Sequence, residues 1–591
     1  MKKNDFLICG LIMIFSCGIT FGKNNAICTK QDELYLRKIL QQTWAYLDAH
    51  LAKETGFPTD SQKAGGTTNT TNIGLYLAAI GPAEKLGFIT RKDALQRIDR
   101  IITSLEKIES RNGFLHNWID VSGKTEMPDG VLAVSDFNKL VTGLILVRQF
   151  FPEIAHKASP LIERVKWGRL YDTASGKTYW GYNAKSDTPV GLGNFWLASD
   201  CRLVAFYMIA SGAAPAELWD RLTRNKIHAD GLTFYEPGYR FGGLFMAAMD
   251  AIFLNELATE MGSSIADLAW HQIRESKHRG LKVWGWSNCN IPGNGYTEGG
   301  FLPWWVVTPH ASALVIEYYP RHVIANLRNL DAMGLRKPLT AGGKHYGFRD
   351  SVDLRTGKVD DRYLALDQAM LFLSLTNFLE QAMVRKYFAN DPLVKNGIKL
   401  LGSRLEQDNN LLEKWAKRDA SEPKLLSIKK PSRKNIVLNM KHPIGLTLNT
   451  NVPKSSKTNS EFTSEGLVID FVLDEQHSEI NTDITFPPID LRNFDSIQVD
   501  CCGQSKGDFG GIRLYLYDDQ GQSQYTYIDG IKPELREFNI PESSVFGMLA
   551  KPYAVNKLTI KLWATPWYYT QQYTKAKSGR LIIERITFRR K

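Results

Sequence analysis

Apolar residues recur at steps of three and four over most of the first 415 positions, and this spacing predicts roughly a dozen helices. Some runs, such as residues 244–254, are apolar almost all round, whereas others, such as 92–109, carry a single apolar stripe. A helix that is apolar on every side packs inside other helices, and a striped helix covers such helices from outside. The alternation predicts a mainly α fold, an (α/α)6 toroid. A solenoid of helical repeats is the structural rival, but no repeat of fixed period is visible.

After about residue 416 the hydrophobic period changes to two. Segments such as GLVIDFVL, GIRLYLYD and KLTIKLWA alternate apolar and polar positions, with turn residues between them. This pattern predicts a C-terminal β-sandwich of the jelly-roll kind. We expect Tyr515 and Tyr517 to lie on one face of a strand in its core, and the segment 567–569 to be its better sugar-binding candidate.

These patterns divide the chain into four parts. We predict a signal peptide over 1–22, a toroid over 30–415, a basic, proline-containing linker over 416–432, and a β-sandwich resembling a carbohydrate-binding module over 433–591. The chain is long enough for two or three domains.

The N-terminal segment has the pattern of a secretory leader. Two lysines precede an apolar stretch that ends in small residues near Gly22. Cleavage there is one expectation, and lipidation of Cys17, which would tether the chain to a membrane, is the other. Since no later stretch is apolar for about 18 residues, we expect no transmembrane helix in the mature chain. Both alternatives predict an extracytoplasmic protein in the periplasm, on the outer surface or secreted.

Cysteine usage and charge narrow the choice of partners. The five cysteines beyond the leader are scattered, and no pair shows metal-ligand spacing. We therefore expect no metal, no other cofactor and no obligatory disulfide. The formal net charge of +11 is spread along the chain, which indicates solubility and does not favour nucleic acid as a partner.

Aromatic residues lie next to carboxylates and amides in the long loops. Flat apolar rings beside polar groups suit a ligand that has both C–H faces and hydroxyls, which describes a sugar. The substrate-binding candidates are Trp118, Asp136, Asn138, Trp180, Tyr235, Tyr239, Arg240, Trp286, Asn288, Tyr296, Trp304, His310 and Arg349.

Glycoside cleavage needs two carboxyl groups, one protonated and one ionised. The catalytic candidates are Asp200, Glu236, Glu298 and Asp350. Three further acids are weaker candidates, because a helix cap or a buried structural role explains each of them: Asp136, Asp250 and Asp367.

Several blocks of the sequence resemble a known family. TNIGLYLAAI, VSDFNKLVTGLI, LASDCRLVAFYMIASG, GLFMAAMDAIFL, VWGWSNCN and YGFRDSVD…RYLALDQ follow one another in the order found in the glucoamylase-like (α/α)6 proteins. That family includes bacterial β-1,2-glucanases and the glucoamylase-like domains of cyclic β-1,2-glucan synthases. The resemblance covers about residues 30 to 400 and implies a glycoside hydrolase on a helical toroid.

Two positions depart from the family pattern. The synthases have a glutamate in each of two blocks where this chain has Asp200 and Asn288. An asparagine can neither carry a catalytic proton nor attack carbon, so we expect an inverting pair of other acids and not a retaining mechanism. The alternatives are a glycan-binding protein without catalysis and a polysaccharide lyase that uses His310, Tyr296 and Arg349.

Overall fold

The computed structural model describes most of the chain. The described residues are 28–63, 66–124, 130–229, 231–238, 242–297, 305–423, 435–451, 457–473, 479–491, 494–505, 509–519, 521, 523–528, 530–541, 554–563, 574 and 576–590. The predicted signal peptide and Cys17 lie outside these residues, as does most of the predicted linker. No helix in the described ranges is both long and apolar enough to cross a membrane.

Helices make up the first part of the chain. They are α1 Lys30–Ala49, α2 Thr70–Lys85, α3 Arg91–Lys107, α4 Val134–Phe150, α5 Ala155–Glu163, α6 Arg202–Ala210, α7 Gly243–Ala248, α8 Glu260–His278, α9 Pro309–Ala313, α10 Pro320–Ala332, α11 Ala365–Leu379, α12 Met383–Ala389, α13 Pro392–Leu401 and α14 Asn409–Asp419.

Two kinds of helix alternate among these. Helices α2, α4, α6 and α11 bury nearly every residue, whereas α3 buries only one face, with Ile98, Ile101 and Leu105 inward. The start of α3 is fixed by a capping box in which Thr90 and Asp93 exchange hydrogen bonds with each other's backbone, as the sequence predicts. The sequence therefore distinguishes fully buried helices from half-exposed ones correctly here, and we call α2, α4, α6 and α11 the inner helices because they are buried nearly all round.

The inner helices pack side by side. Helix α4 packs against α2 and α6, and α11 packs against α1, α2 and α9. The backbones of α2 and α4 meet at glycines, because a Cβ on Gly74 would lie 2.1 Å from the carbonyl oxygen of Lys139. Glycine at this position lets the N-terminal turns of α2 and α4 approach each other closely.

Short strands join the helices. They are β1 Thr67–Asn69, β2 Trp118–Asp120, β3 Val131–Ala133, β4 Tyr171–Asp172, β5 Lys177–Asn183, β6 Thr188–Gly193, β7 Lys226–Ala229, β8 Leu232–Tyr235, β9 Cys289–Ile291, β10 Gly295–Thr297, β11 Val306–Val307, β12 Val352–Asp353 and β13 Lys358–Val359.

The C-terminal part is rich in β-sheet. Its strands are β14 Ile436–Asn439, β15 Thr447–Asn451, β16 Lys457–Thr463, β17 Gly466–Val472, β18 Glu479–Ile489, β19 Phe494–Ser505, β20 Ile512–Asp518, β21 Ser523–Ile528, β22 Arg536–Pro541, β23 Val555–Trp563 and β24 Ser578–Arg590.

These strands form two antiparallel sheets. One runs β16-β17-β24-β19-β22, with β14 also on β24, and the other runs β15-β18-β23-β20-β21. Both sheets contribute side chains to one hydrophobic core. Leu514 and Leu516 point into this core, so Tyr515 and Tyr517 lie on the opposite face and are partly exposed. The expectation of a core position for these two tyrosines is therefore wrong.

Candidate active site

Buried polar side chains gather where the inner helices begin. The N-terminal segments of α2, α4, α6 and α11 supply Asn72, Lys139, Asp200 and Asp367, all almost fully buried in otherwise apolar surroundings. Charged side chains are seldom buried unless partners compensate them. The arrangement therefore marks a polar site inside the helical part.

Asp200 directly precedes α6 and lies beside the first turn of α4. Its backbone carbonyl accepts hydrogen bonds from Asn138 Nδ2 at 3.1 Å and from Lys139 Nζ at 2.9 Å. Burial raises the pKa of the Asp200 carboxyl to about 6, and the charges of Asp250 and Asp136 act in the same direction, while Lys139 opposes them. A carboxyl group with this pKa is protonated in a large fraction of molecules near pH 6.

Lys139 supplies a positive charge to this region. Its ammonium group is fully buried and lies 2.8 Å from Asp250 Oδ1, while Asp250 Oδ2 accepts the backbone N–H of Leu203 at 3.0 Å. These contacts hold α4, α6 and the segment following α7 together at one point. A buried ion pair of this kind keeps its geometry because separating the two groups would leave each charge buried without an opposite charge beside it.

Helix α2 connects this region to a second group of acids. Thr71 donates a hydrogen bond to Asp136 Oδ1 at 2.8 Å, and the next residue, Asn72, donates to Asp60 Oδ1 at 2.9 Å. Burial raises the pKa of Asp367, and the nearby charges of Asp350 and Asp60 add to this effect. The first turn of α2 therefore bonds both to Asp136 near Asp200 and to Asp60, whose charge acts on Asp367.

The second group is centred on Asp350 and Asp367, which are 1% and 3% exposed. Asp350 Oδ2 accepts the backbone N–H of Asn290 at 2.5 Å, and oxygen atoms of the two carboxyl groups lie within 4.8 Å of each other. Burial raises the pKa of Asp350 to about 6 and that of Asp367 well above its usual range, where the neighbouring charge adds to the effect. Two adjacent buried carboxyl groups of this kind share one proton over a broad pH range.

His310 completes this second group. Its Nδ1 atom lies 2.8 Å from Thr308 Oγ1 and 3.5 Å from Asp367 Oδ2, and burial lowers its pKa to about 3. The imidazole is therefore neutral at physiological pH. His310, Asp350 and Asp367 are close enough together to serve as ligands of one metal ion. They also line a cavity of about 10 Å³, close to the minimum that one water molecule needs.

For the two other catalytic candidates, Glu236 and Glu298, the structure gives less information. Glu236 follows β8, and its neighbour Pro237 forms a parallel bridge with Ala198, two residues before Asp200. The chain thus brings the backbone of Glu236 to the Asp200 side of the site. Glu298 lies outside the described residues.

The aromatic candidates fall into two groups. Trp118 and Tyr296 are about half exposed, at 47% and 49%, and could meet a ligand. Trp286 has no exposed surface, and Tyr235 is buried with its hydroxyl donating to Glu260 at 2.7 Å. Trp180 packs edge-on against Phe195 and Trp196.

The remaining binding candidates lie around the two groups of acids. Asn138 contacts Asp200, and Asn288 is buried two residues before Asn290. Arg349 lines the cavity beside Asp350 and donates to the carbonyl of Gly334 at 2.9 Å. Tyr239, Arg240 and Trp304 lie outside the part of the chain that the structure describes.

Sequence reasoning missed Lys139, Asp60, Asp360 and Asn290 as parts of the site. Asn290 donates to Asp360 at 2.8 Å and so holds a third buried acid next to Asp350. For Lys139 a signal was present, because a single charge inside an otherwise apolar helix needs a buried partner. Asp60 and Asp360 lie in loops and gave no such signal.

Comparison with known proteins gives the class. Residues 264–392 match the model of a family described as putative glucoamylase, and residues 38–176 match a family described as a protein of unknown function. Among solved structures, a putative glucoamylase from Bacteroides caccae is 21% identical, with a TM-score of 0.55 over 63% of this chain and 99% of that one. The helical part therefore has a glycoside-hydrolase-like fold.

Two further similar proteins have descriptions that name β-1,2-glucans. An endo-β-1,2-glucanase from Chitinophaga pinensis, solved with sophorotriose and glucose, is 19% identical, with a TM-score of 0.52 over 63% of this chain and 98% of its own. A stretch of 135 residues is 27% identical to the cyclic β-(1,2)-glucan synthase NdvB of Rhizobium meliloti, and it spans 22% of this chain but only 5% of that protein. The resemblance to the glucoamylase-like family that the sequence blocks indicate is confirmed.

Proposed function

We propose that this chain is a glycoside hydrolase that cleaves a β-linked glucan with inversion at the anomeric carbon. The observation that carries the proposal is two groups of buried acids with raised pKa values, Asp200 with Asp136 and Asp350 with Asp367. The first turn of α2 bonds to Asp136 of the first group and to Asp60, whose charge acts on Asp367 of the second. Hydrolysis of a glycosidic bond requires a protonated and an ionised carboxyl group on opposite sides of that bond.

Asp200 is the proposed general acid. Its pKa of about 6 keeps a proton available in weakly acidic solution, and an acid with a pKa near the working pH transfers its proton most effectively. Asn138 and Lys139 donate hydrogen bonds to the backbone carbonyl of Asp200 and so fix the position of the backbone from which its carboxyl group extends.

Asp350 and Asp367 are the proposed general base. When they share one proton, the pair retains one negative charge, which can accept a proton from water. The small cavity that they line with His310 has room for about one water molecule. The proton then passes to the carboxylate as the water oxygen bonds to the anomeric carbon, while Asp200 protonates the departing oxygen.

The proposed substrate class rests on the comparisons, and the proposed inversion rests on the asparagine at position 288, where the synthases have a glutamate. The Chitinophaga pinensis relative is an endo-β-1,2-glucanase, and this likeness favours a β-1,2-linked glucan as the first substrate to test. Asn288 is buried and cannot act as a nucleophile, which favours inversion over retention.

Incubation of the protein with a panel of polysaccharides tests the proposal. We expect new reducing ends with a β-glucan, and proton NMR at early times should show the α-anomer as the first product. Binding without new reducing ends would support the glycan-binding alternative instead, and products that absorb in the ultraviolet would reveal a lyase.

We also propose that the helices close into an (α/α)6 ring, followed by a jelly-roll sandwich. The ring is supported by the packing of α4 between α2 and α6 and of α11 between α2 and α9. The sandwich is supported by the two antiparallel sheets.

We place the protein outside the cytoplasm because of the leader-like residues 1–22. Cell fractionation would test this location, and recovery of the mature protein in the cytoplasm would contradict it.

A further inference from the structure

Four tyrosines form a row on the outer face of the five-stranded sheet. Tyr515 and Tyr517 lie on β20, where alternate residues point away from the core. Tyr525 on the neighbouring strand β21 pairs directly with Tyr515, and Tyr527 follows it on the same face. We call these four residues the tyrosine row.

Contacts within the row hold the rings in place. The centroids of Tyr515 and Tyr517 are 6.3 Å apart with an angle of 27° between their planes, and the ring of Tyr525 lies 5.1 Å from that of Tyr515 and 5.5 Å from that of Tyr527. The guanidinium of Arg513 lies 5.4 and 5.1 Å from the rings of Tyr525 and Tyr527. Rings restrained in this way lose little conformational entropy when a ligand binds.

Polar groups cover the strands beside the row. Thr559 on β23 pairs with Tyr515 and donates a hydrogen bond to Asp483 on β18. Lys557 lies 3.6 Å from Asp483, and Lys561 lies 2.5 Å from Glu479. The lysines are thus paired with acids, so this half of the face offers hydrogen-bonding groups without a large excess of charge.

A groove opens at one end of the row. It has a volume of about 370 Å³, and its lining includes Thr447, Thr485, Tyr517, Asn556 and Lys557. One wall is the Tyr517 ring, with the Lys557 ammonium group 3.9 Å from its centroid, and the other walls carry hydroxyl, amide and carboxyl groups.

We propose that the tyrosine row and this groove bind a neutral polysaccharide chain, as a second glycan site separate from the acids of the helical part. Sugar rings have C–H faces that pack on aromatic rings and hydroxyls that bond to threonine and asparagine. Single-stranded nucleic acid also stacks on aromatic rings, but it needs a surface with a large excess of positive charge. Among the residues described on this face, three cations, Lys557, Lys561 and Arg513, stand against two acids, Asp483 and Glu479, so the excess is a single charge. The site goes beyond the proposed hydrolysis and does not depend on it.

Affinity electrophoresis of the full-length protein tests this site. Native gels are cast with β-1,2-glucan, laminarin, hydroxyethyl cellulose or xylan, and the retarded migration of the wild type is compared with that of Tyr515→Ala, Tyr517→Ala and the double variant. Tyr517→Phe keeps the ring, and Val437→Ala alters an exposed residue of the other sheet as a matched control. Thermal unfolding confirms that each variant is folded.

We expect at least one glycan to retard the wild type and the double alanine variant to bind it about tenfold more weakly, as the loss of aromatic contact residues commonly causes. Three variants should bind this glycan at the tyrosine row with the affinity of the wild type: Tyr517→Phe, Val437→Ala and, in the helical part, Asp200→Asn. The proposal is overturned if the double variant binds every glycan as the wild type does, if no glycan in the panel retards the wild type, or if only an oligothymidylate probe binds through these tyrosines.

Discussion

Asp200, Asp350 and Lys139 show how burial changes the chemistry of single residues. Burial raises the pKa of both aspartates to about 6, whereas Lys139 keeps its partner Asp250 within 2.8 Å in a region without exposed surface. The same burial that makes a carboxyl group useful as an acid also makes its ionised form costly for the folded protein. Stability and chemistry can therefore be tested on the same residues.

The first prediction concerns the pH dependence of stability. Since the folded-state pKa of Asp200 lies above its ordinary value of 3.8, its protonated form stabilises the fold below about pH 4, and this contribution is lost as the pH rises through about 6. Asp200→Asn does not titrate, so the variant should gain stability relative to the wild type between pH 4.5 and pH 8. We expect the difference in melting temperature to change by about 2–4 °C in favour of the variant.

Thermal unfolding at the two pH values provides the measurement. Asp99→Asn, on the outer face of α3, is the matched control, because this acid pairs with Lys157 at the surface. A melting difference for Asp200→Asn that is the same at both pH values would show that Asp200 ionises in the folded protein as easily as in the unfolded chain.

The second prediction concerns Lys139. Lys139→Met leaves Asp250 buried without its positive partner, and we expect a loss of about 3–5 kcal/mol in the free energy of unfolding. A second change, Asp250→Asn, removes the uncompensated charge and should restore part of the loss. Urea unfolding measures both, and a single variant as stable as the wild type would mean that the ion pair is not formed.

Among the helices, the close approach of α2 and α4 positions the acids near Asp200. Thr71 bonds to Asp136 on α4, and it can do so only where the first turn of α2 lies against α4. The neighbouring Asn72 bonds to Asp60 in the segment before α2. Backbone contact at Gly74 is the feature that permits this approach.

The third prediction tests that contact. In Gly74→Ala the new Cβ would lie 2.1 Å from the carbonyl oxygen of Lys139, so the helices must separate and the acids must shift. We expect a lower melting temperature and at least a tenfold loss of glucan hydrolysis, since small displacements of catalytic groups are costly. Gly168→Ala is the control, because its Cβ would meet nothing closer than 3.9 Å. Equal activity of the two variants would contradict the role of this contact.

Much of the element pattern was predictable from the sequence, and the reasons are local. The cap at Thr90 and the all-round apolar runs of α2 and α11 depend on neighbouring residues, so periodicity reveals them. Asp60 and Asp360 join the site through contacts distant in the chain, which no local pattern encodes. Tyr515 and Tyr517 were assigned to the wrong face because alternation shows that two residues share a face but not which face is buried.

For the whole molecule, the sequence predicted a helical part followed by a β-rich part, and the structure has both. The family resemblance supplied the glycoside-hydrolase-like fold, and the comparisons confirm it. The choice of acid and base depends on burial and on neighbours across several helices, which only the folded chain reveals. We therefore propose two glycan sites of different purpose in one molecule, one that cleaves the glycan and one that holds it.

The rate at which Asp200→Asn releases reducing ends from a β-glucan, compared with that of Asp99→Asn, decides whether Asp200 is the general acid. We expect Asp200→Asn to lose about 10²–10⁴-fold in kcat, because an amide cannot donate the proton that the leaving oxygen needs, while Asp99→Asn keeps the wild-type rate. Wild-type hydrolysis by a well-folded Asp200→Asn variant would contradict this role of Asp200.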